Sequence, residues 1–265
     1  RSQGHAARRR GPPRPGRRAL EPDRKVFKKE MRAFFQAMDA AMPSGKTPVF
    51  IVDSIDHCRG RAATFDEVRD SVESLFSRYA SEPALPDMHV IYTVPVYAEP
   101  AGWEGRIWPV LSVKVQERDG GDCRAGIDLL RQVPASRAPG GDLERLLGSR
   151  IDRVIRASGG LFRRAIPSGL RAPGQLLVKD GALPVGTADI DQEERQQCSY
   201  AAAGLTEEQW DILRTVRQTG QLRVPRERTS EAWTLQALGY VLRYRNGVVD
   251  WYGVHPLLDK LLDEA

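Results

Sequence analysis

Few cysteines occur in this 265-residue chain, and nothing in it resembles a membrane span. The three cysteines, Cys58, Cys123 and Cys198, are odd in number and far apart in the sequence. They match no metal-ligand spacing, so they predict a reduced, cytoplasmic setting. No window approaches 18 uninterrupted apolar residues, and no apolar stretch follows the first arginines. We therefore expect neither a transmembrane helix nor a secretory signal.

A complete phosphate-binding loop is also missing from the sequence. Such a loop reads Gly-x-x-x-x-Gly-Lys-Ser/Thr and lies between a strand and a helix. The nearest match, Gly45-Lys46-Thr47, has Ala40 where the first glycine is required. It follows a predicted helix and precedes a predicted strand, which is the reverse of the required order. We interpret Gly45-Lys46-Thr47 as a chance match in a connecting loop.

Acidic residues are absent from the first 18 positions, which hold seven arginines. The remainder of the chain carries 33 basic and 35 acidic side chains, so the net charge of +5 belongs to this segment. Its Arg-, Pro- and Gly-rich composition predicts a disordered tail over residues 1–22. Such a tail would contact nucleic acid only through phosphate charge.

The pattern over residues 23–124 predicts α/β architecture. Apolar residues at helical spacing predict a helix from Asp23 to Met42. Residues 48–53 and 88–94 consist mainly of apolar, often β-branched side chains, as expected for parallel strands buried on both faces of a sheet. A helix opened by Thr64 lies between them and makes a right-handed crossover. We expect a third short strand at 110–115.

The rest of the chain predicts two further domains. Residues 125–203 read as a bundle of helices, with a helix stop at Ser158-Gly159-Gly160. Residues 204–265 begin with a capping box at Thr206 and continue with two helices. Arg245-Asn246-Gly247 then separates two strand-like runs, which predicts a hairpin. Helices followed by a hairpin indicate a winged-helix domain.

Two carboxylates follow the first predicted strand. Asp53 lies directly after the apolar run, and Asp56 comes three residues later. Open α/β sheets bind ligands at the carboxyl ends of their strands. Asp53 could hold Mg²⁺ there, directly or through water, and Asp56 could orient an attacking water. The alternative is structural, because buried strands often end in an aspartate that starts a loop.

Several segments, taken in order, resemble one protein family. They are "PVFIVDSIDHCRG", "MHVIYTVPVY", "RIDRVIRASGGLFRRAI" and "LGYVLRYRNGVVDWYGVHPLL". Together they look like bacterial P-loop ATPases of the AAA+/STAND type, over roughly residues 22–265. The resemblance implies the distal part of a P-loop NTPase core at 23–124, a helical lid at 125–203 and a winged-helix domain at 204–265.

The resemblance also implies roles for individual residues. Asp53 would be the Walker B carboxylate that holds Mg²⁺, with Asp56 as an accessory acid. Thr93 would take the sensor-1 place, and Arg163 would be the arginine of a sensor-2-like motif in the lid. Two departures from the family pattern stand out. Ser54 occupies a position that is usually acidic, and the Walker A loop, expected upstream, is missing. The implied function is that of an ATP- and Mg²⁺-dependent conformational switch that is inactive without Walker A.

The predicted winged helix suggests a second, non-catalytic function, in binding DNA or a protein partner. A DNA-reading helix needs basic and amide side chains on its outer face. Residues 229–240 offer few of these. The candidate DNA contacts are Arg243 and Arg245 on the wing, together with Arg226 and Arg228. We expect a protein partner or self-association for this domain rather than DNA.

Overall fold

The computed structural model describes residues 21–55, 65–77, 88–98, 102–136, 143–161 and 183–263. These residues form a mixed α/β protein with two compact units. The first unit contains the described residues 21–55, 67–77, 88–94 and 102–104. The second unit contains the rest. Over the described residues, no helix combines the length and the apolar character that a membrane crossing requires.

The first unit contains two helices and a pair of parallel strands. In chain order they are α1 (Glu21–Ala40), β1 (Val49–Val52), α2 (Phe65–Phe76) and β2 (His89–Tyr92). The predicted helix and both predicted strands are confirmed, although the strands are shorter than expected. The helix α2 connects the strands, as a parallel pair requires.

Among the described residues, aromatic packing covers one face of the β1–β2 pair. Phe50 meets Phe35 of α1 at a ring-centroid distance of 4.8 Å, and Tyr92 meets Phe76 of α2 at 5.4 Å. On the opposite face, Val49, Ile51 and Ile91 are between 51% and 61% exposed. The prediction that both faces would be buried is therefore wrong. An apolar run indicates a strand but does not show what covers each face.

The first half of the second unit is helical. Its helices are α3 (Arg124–Ala135), α4 (Leu143–Leu147), α5 (Ile151–Ala157) and α6 (Thr187–Ala202). A single 3₁₀ turn, Gly148–Arg150, joins α4 to α5. Aliphatic side chains from all four helices form one core, because each helix has an apolar stripe that must be buried. The buried members include Ile127, Leu130, Leu147, Val154, Ile155 and Ile190.

The second half combines helices with a hairpin. Its elements are α7 (Glu207–Thr219), α8 (Thr229–Ala237), β3 (Val241–Asn246), β4 (Val249–Val254) and α9 (Pro256–Asp259). The strands pair antiparallel, and proline takes the first position of α9 as predicted. A second core joins the helices to the hairpin, and it includes Leu213, Val216, Leu235, Val241, Val254 and Leu258.

The capping box at the start of α7 is confirmed. The backbone N–H of Gln209 donates to the Thr206 hydroxyl at 3.3 Å. In return, the Thr206 N–H donates to the side-chain oxygen of Gln209 at 3.1 Å. Two N–H groups that a helix start leaves unpaired are thereby satisfied.

Two local predictions are wrong. Residues 110–115 form no strand, because their backbone bonds go to separate partners: Ser112 N–H donates to the Arg243 carbonyl and Val113 N–H to the Gly160 carbonyl. The hairpin turn lies one residue later than predicted. Asn246 pairs with Val249, so Gly247 and Val248 form a two-residue loop, with φ of +59° at Gly247.

Candidate functional site

The strand register places Asp53 and Thr93 side by side. Val52 pairs with Tyr92 at the end of the parallel ladder, and the next residues along the two strands are Asp53 and Thr93. The Thr93 N–H donates to the Val52 carbonyl at 3.1 Å, which extends the ladder by one bond. Both side chains therefore lie at the carboxyl edge of the strand pair, where α/β sheets place ligands.

Three hydrogen bonds join Asp53, Ser54 and Thr93. The Thr93 hydroxyl lies 3.0 Å from Asp53 Oδ1, and the Ser54 N–H donates to the same carboxylate oxygen at 2.8 Å. The Ser54 N–H also donates to Thr93 Oγ1 at 2.9 Å. We call this arrangement of Asp53, Ser54 and Thr93 the strand-tip triad. It fixes the orientation of a carboxylate that is exposed to solvent.

The backbone at Ser54 is unusual. Its φ is +75°, and among the residues that the structure describes it is the one non-glycine residue with a positive φ. A left-handed conformation costs a side-chain-bearing residue roughly 1–2 kcal/mol. The N–H of this left-handed residue donates to both Asp53 and Thr93. The sequence drew attention to Ser54 only as a departure from the family pattern, and its backbone role carried no sequence signal.

Of the residues predicted for the nucleotide site, the structure brings together Asp53 and Thr93. The accessory acid Asp56 and the lid arginine Arg163 lie outside the described residues. Gly45-Lys46-Thr47 is an exposed loop between α1 and β1, and the Lys46 N–H is bonded to the Pro43 carbonyl at 3.1 Å. A strand rather than a helix follows this loop, so no helix N-terminus is present there to bind a phosphate.

The donor atoms of the triad suit a hard cation such as Mg²⁺, which prefers oxygen ligands. Asp53 supplies a carboxylate and Thr93 a hydroxyl, both oxygen donors. Among the described residues, no group of three or more His, Cys, Asp or Glu side chains could form a metal cage. In nucleotide sites Mg²⁺ is usually bound by one or two carboxylates together with waters and substrate phosphates.

The helix stop expected in the lid is a buried turn. Ser158, Gly159 and Gly160 follow α5, and both glycines have positive φ, of +64° and +82°. The Gly160 carbonyl accepts the Val113 N–H at 3.1 Å, and the Gly159 carbonyl accepts the Tyr244 hydroxyl at 2.9 Å. This turn thus ties the end of α5 to the hairpin.

Three of the four candidate DNA-binding arginines are engaged by carboxylates. Arg243 and Arg245 both bind Asp250 on the neighbouring strand, at 2.5 Å each. These bonds, the one from Arg245 first, lower the pKa of Asp250 to about 2. Arg228 lies 3.8 Å from Asp211, while Arg226 is exposed. The two hairpin arginines thus share one carboxylate, a pairing that the sequence analysis missed.

Two further ion-pair networks lie within the second unit. Arg153 of α5 and Lys260 both bind Glu194 of α6, at 2.8 and 2.6 Å. Burial raises the pKa of Glu194, but the bonds from Arg153 and Lys260 outweigh it and lower that pKa overall. Asp152 similarly binds Arg124 and Arg131. Networks of this kind hold helices together and need no ligand to explain them.

Comparisons of the chain with family profiles, with curated proteins and with solved structures found no match. The interpretation of the site therefore depends on the geometry of the triad and on the motifs of the sequence.

Proposed function

We propose that the chain carries the acidic, metal-binding side of an ATP site, with Asp53 as the carboxylate that holds Mg²⁺. The observation that supports this most strongly is the bond between Thr93 and Asp53 at the tips of adjacent parallel strands. In P-loop NTPases a carboxylate after a buried strand helps to hold Mg²⁺, which bridges the β- and γ-phosphates. The function of such a site would be to switch the conformation of the protein on nucleotide hydrolysis, and not only to store bound nucleotide.

The roles proposed for the chain's own residues follow from their positions. Asp53 holds the metal, directly or through water, and Ser54 and Thr93 orient its carboxylate. Asp56 and Arg163 are proposed, from the family resemblance, as the water-orienting acid and the nucleotide-sensing lid arginine. The metal would neutralise the charge that develops on the phosphates during hydrolysis. The sequence holds no Gly-x-x-x-x-Gly-Lys-Ser/Thr, so we expect no ATP hydrolysis by these 265 residues alone.

The test uses Mn²⁺ with ATP as a paramagnetic probe on the 265-residue chain. Bound Mn²⁺ broadens the NMR signals of nearby amides, so we expect selective loss of the Ser54 and Thr93 signals. Asp53→Asn should abolish that loss, because it removes the charge that holds the metal. Lys46→Ala is the matched control and should leave the broadening intact. Broadening that persists in Asp53→Asn would contradict the proposal.

A second candidate function concerns the helix–hairpin region at 204–263, which we propose to be a protein-binding winged helix. The pairing of Arg243 and Arg245 with Asp250 favours a protein partner over DNA, because phosphates must compete with a carboxylate already in place. Val248 and Val249, at the tip of the wing, are 96% and 59% exposed. DNA binding by Arg226 and Arg228 is the competing hypothesis, and a salt titration of DNA binding tests it.

A further inference from the structure

The direction of each bond in the strand-tip triad follows from the chemistry of its atoms. A backbone N–H can only donate, and an ionised carboxylate can only accept. The Thr93 hydroxyl, at 2.9 Å from the Ser54 nitrogen and 3.0 Å from Asp53 Oδ1, therefore accepts from the first and donates to the second. A hydroxyl has one hydrogen, and in this arrangement that hydrogen is directed at Asp53.

We propose that Thr93 is a positioning residue, which acts with the Ser54 backbone to orient the Asp53 carboxylate and does not contact the terminal phosphate. This inference rests on the proposed function, since it assumes that Asp53 holds the metal. It differs from the sensor role that the family resemblance implies for Thr93. To donate to a phosphate, the hydroxyl would have to turn its hydrogen away from Asp53.

The backbone supports this role. Thr93 is held beside Asp53 by its own N–H bond to Val52, and a β-branched side chain has few χ1 rotamers. The Ser54 N–H donates to the same carboxylate oxygen at 2.8 Å, and the backbone of Ser54 is left-handed, with φ of +75°. Strained residues of this kind persist where the surrounding contacts determine the conformation. Two donors on Oδ1 fix the carboxylate plane, and partners of this type typically change metal affinity by 10–100-fold when removed.

The test compares Thr93→Val, which removes the hydroxyl at nearly constant shape, with Thr93→Ser, which retains it. Mn²⁺ affinity is measured without nucleotide, by electron paramagnetic resonance, and ATP affinity is measured separately at saturating Mn²⁺. We expect Thr93→Val to weaken Mn²⁺ binding about 10-fold or more and Thr93→Ser to remain within about threefold of the parent chain. A phosphate-reading Thr93 would give the opposite split, with Mn²⁺ affinity unchanged and only ATP affinity reduced, and that result overturns the inference.

A second measurement needs no metal. Amide hydrogen exchange at Ser54 should be faster in Thr93→Val than in the parent chain, because one of the two acceptors of its N–H is lost, and Thr93→Ser should restore slow exchange. Equal exchange rates in all three chains would overturn the positioning role. The two proposals fail in different ways: Mn²⁺ binding that is absent, or equal in Asp53→Asn and the parent chain, contradicts the metal site itself. Binding that Asp53→Asn abolishes and Thr93→Val leaves intact contradicts only the role of Thr93.

Discussion

The hydroxyl of Tyr244 donates a 2.9 Å hydrogen bond to the carbonyl oxygen of Gly159, 85 positions earlier in the chain. Both residues are buried, and the Tyr244 ring also packs on Trp251 at a centroid distance of 4.8 Å. A buried carbonyl without a partner is costly, so this bond matters for the folded state of the second unit. It joins the turn after α5 to the strand β3 of the hairpin.

Loss of this bond should be measurable. Tyr244→Phe keeps the ring but removes the donor, and we expect the free energy of unfolding to fall by roughly 1–3 kcal/mol. Tyr200→Phe is the control, because Tyr200 is 72% exposed and its hydroxyl makes only a long, 3.4 Å contact with Gln196. Denaturant unfolding of both variants and the parent chain gives the comparison. Equal losses in the two variants would contradict the role of the Gly159 bond.

The same bond predicts a pH dependence. Burial raises the pKa of Tyr244 above its usual value of 10.0. Above that pH the unfolded chain releases a proton that the folded chain retains, so this residue makes the free energy of unfolding fall as pH rises. The contribution is fully present below pH 10 and lost above it. Stability measured from pH 8 to 11 should therefore fall less steeply in Tyr244→Phe than in the parent chain, and parallel curves would refute the assignment.

The buried turn after α5 predicts that its residue Gly160 cannot be replaced without a loss of stability. A Cβ on Gly160 would lie 1.8 Å from the Val113 carbonyl oxygen, and φ there is +82°. Gly160→Ala should cost roughly 2–4 kcal/mol, from strain and from the backbone shift. At Gly247, φ is +59° but nothing lies within 4 Å, so Gly247→Ala should cost only the left-handed strain of roughly 1–2 kcal/mol. Thermal unfolding separates the two; a larger loss in Gly247→Ala would contradict the packing seen around Gly160.

A comparison of individual residues shows which features of the structure could be predicted from the sequence alone. The capping box at Thr206 depends on contacts within one helical turn, and the structure has it as predicted. Asp53 and Thr93 could be placed together because the carboxyl ends of parallel strands share an edge. The left-handed Ser54 could not be foreseen, since serine has no preference for that conformation.

The β3–β4 hairpin shows how a small error in a predicted turn hides a contact between side chains. The turn was predicted one residue too early, and a one-residue shift changes every cross-strand neighbour. In the observed register Arg245 lies directly opposite Asp250, and Arg243 reaches the same carboxylate from two residues away. With the turn misplaced, this pairing was not predicted, and both arginines were kept as candidate DNA contacts.

Asp250 gives a prediction for acid pH and for DNA together. Its pKa is lowered to about 2 in the folded chain, so its contribution to stability is present above the ordinary value of 3.8 and is lost as pH falls towards 2. The pairs lie near the surface, where solvent screens them, so we expect only a small contribution from each. Asp250→Asn should remove this acid-dependent loss, and unfolding curves between pH 2 and 5 measure it.

Asp250→Asn should also release Arg243 and Arg245. We therefore expect tighter binding to duplex DNA, with a steeper dependence on salt concentration, because two more cations become available to phosphates. Fluorescence anisotropy over a range of salt concentrations measures both quantities. Asp128→Asn, which removes the same charge from an exposed position on α3, is the matched control. Unchanged DNA binding in Asp250→Asn would contradict a role for Arg243 and Arg245 in binding DNA.

The arginine-rich segment at residues 1–18 provides the last prediction. It holds seven arginines and no acid, whereas the rest of the chain carries 33 basic and 35 acidic side chains. Removal of residues 1–18 should leave the melting temperature unchanged, because this segment has no aromatic or β-branched residue to bury. It should abolish most salt-sensitive binding to DNA, since the remaining chain has a net negative charge. The measurement is DNA affinity against salt concentration, with and without the segment. A salt slope that survives the deletion undiminished would assign DNA binding to the helix–hairpin region, through Arg226 and Arg228, and would overturn the preference for a protein partner there.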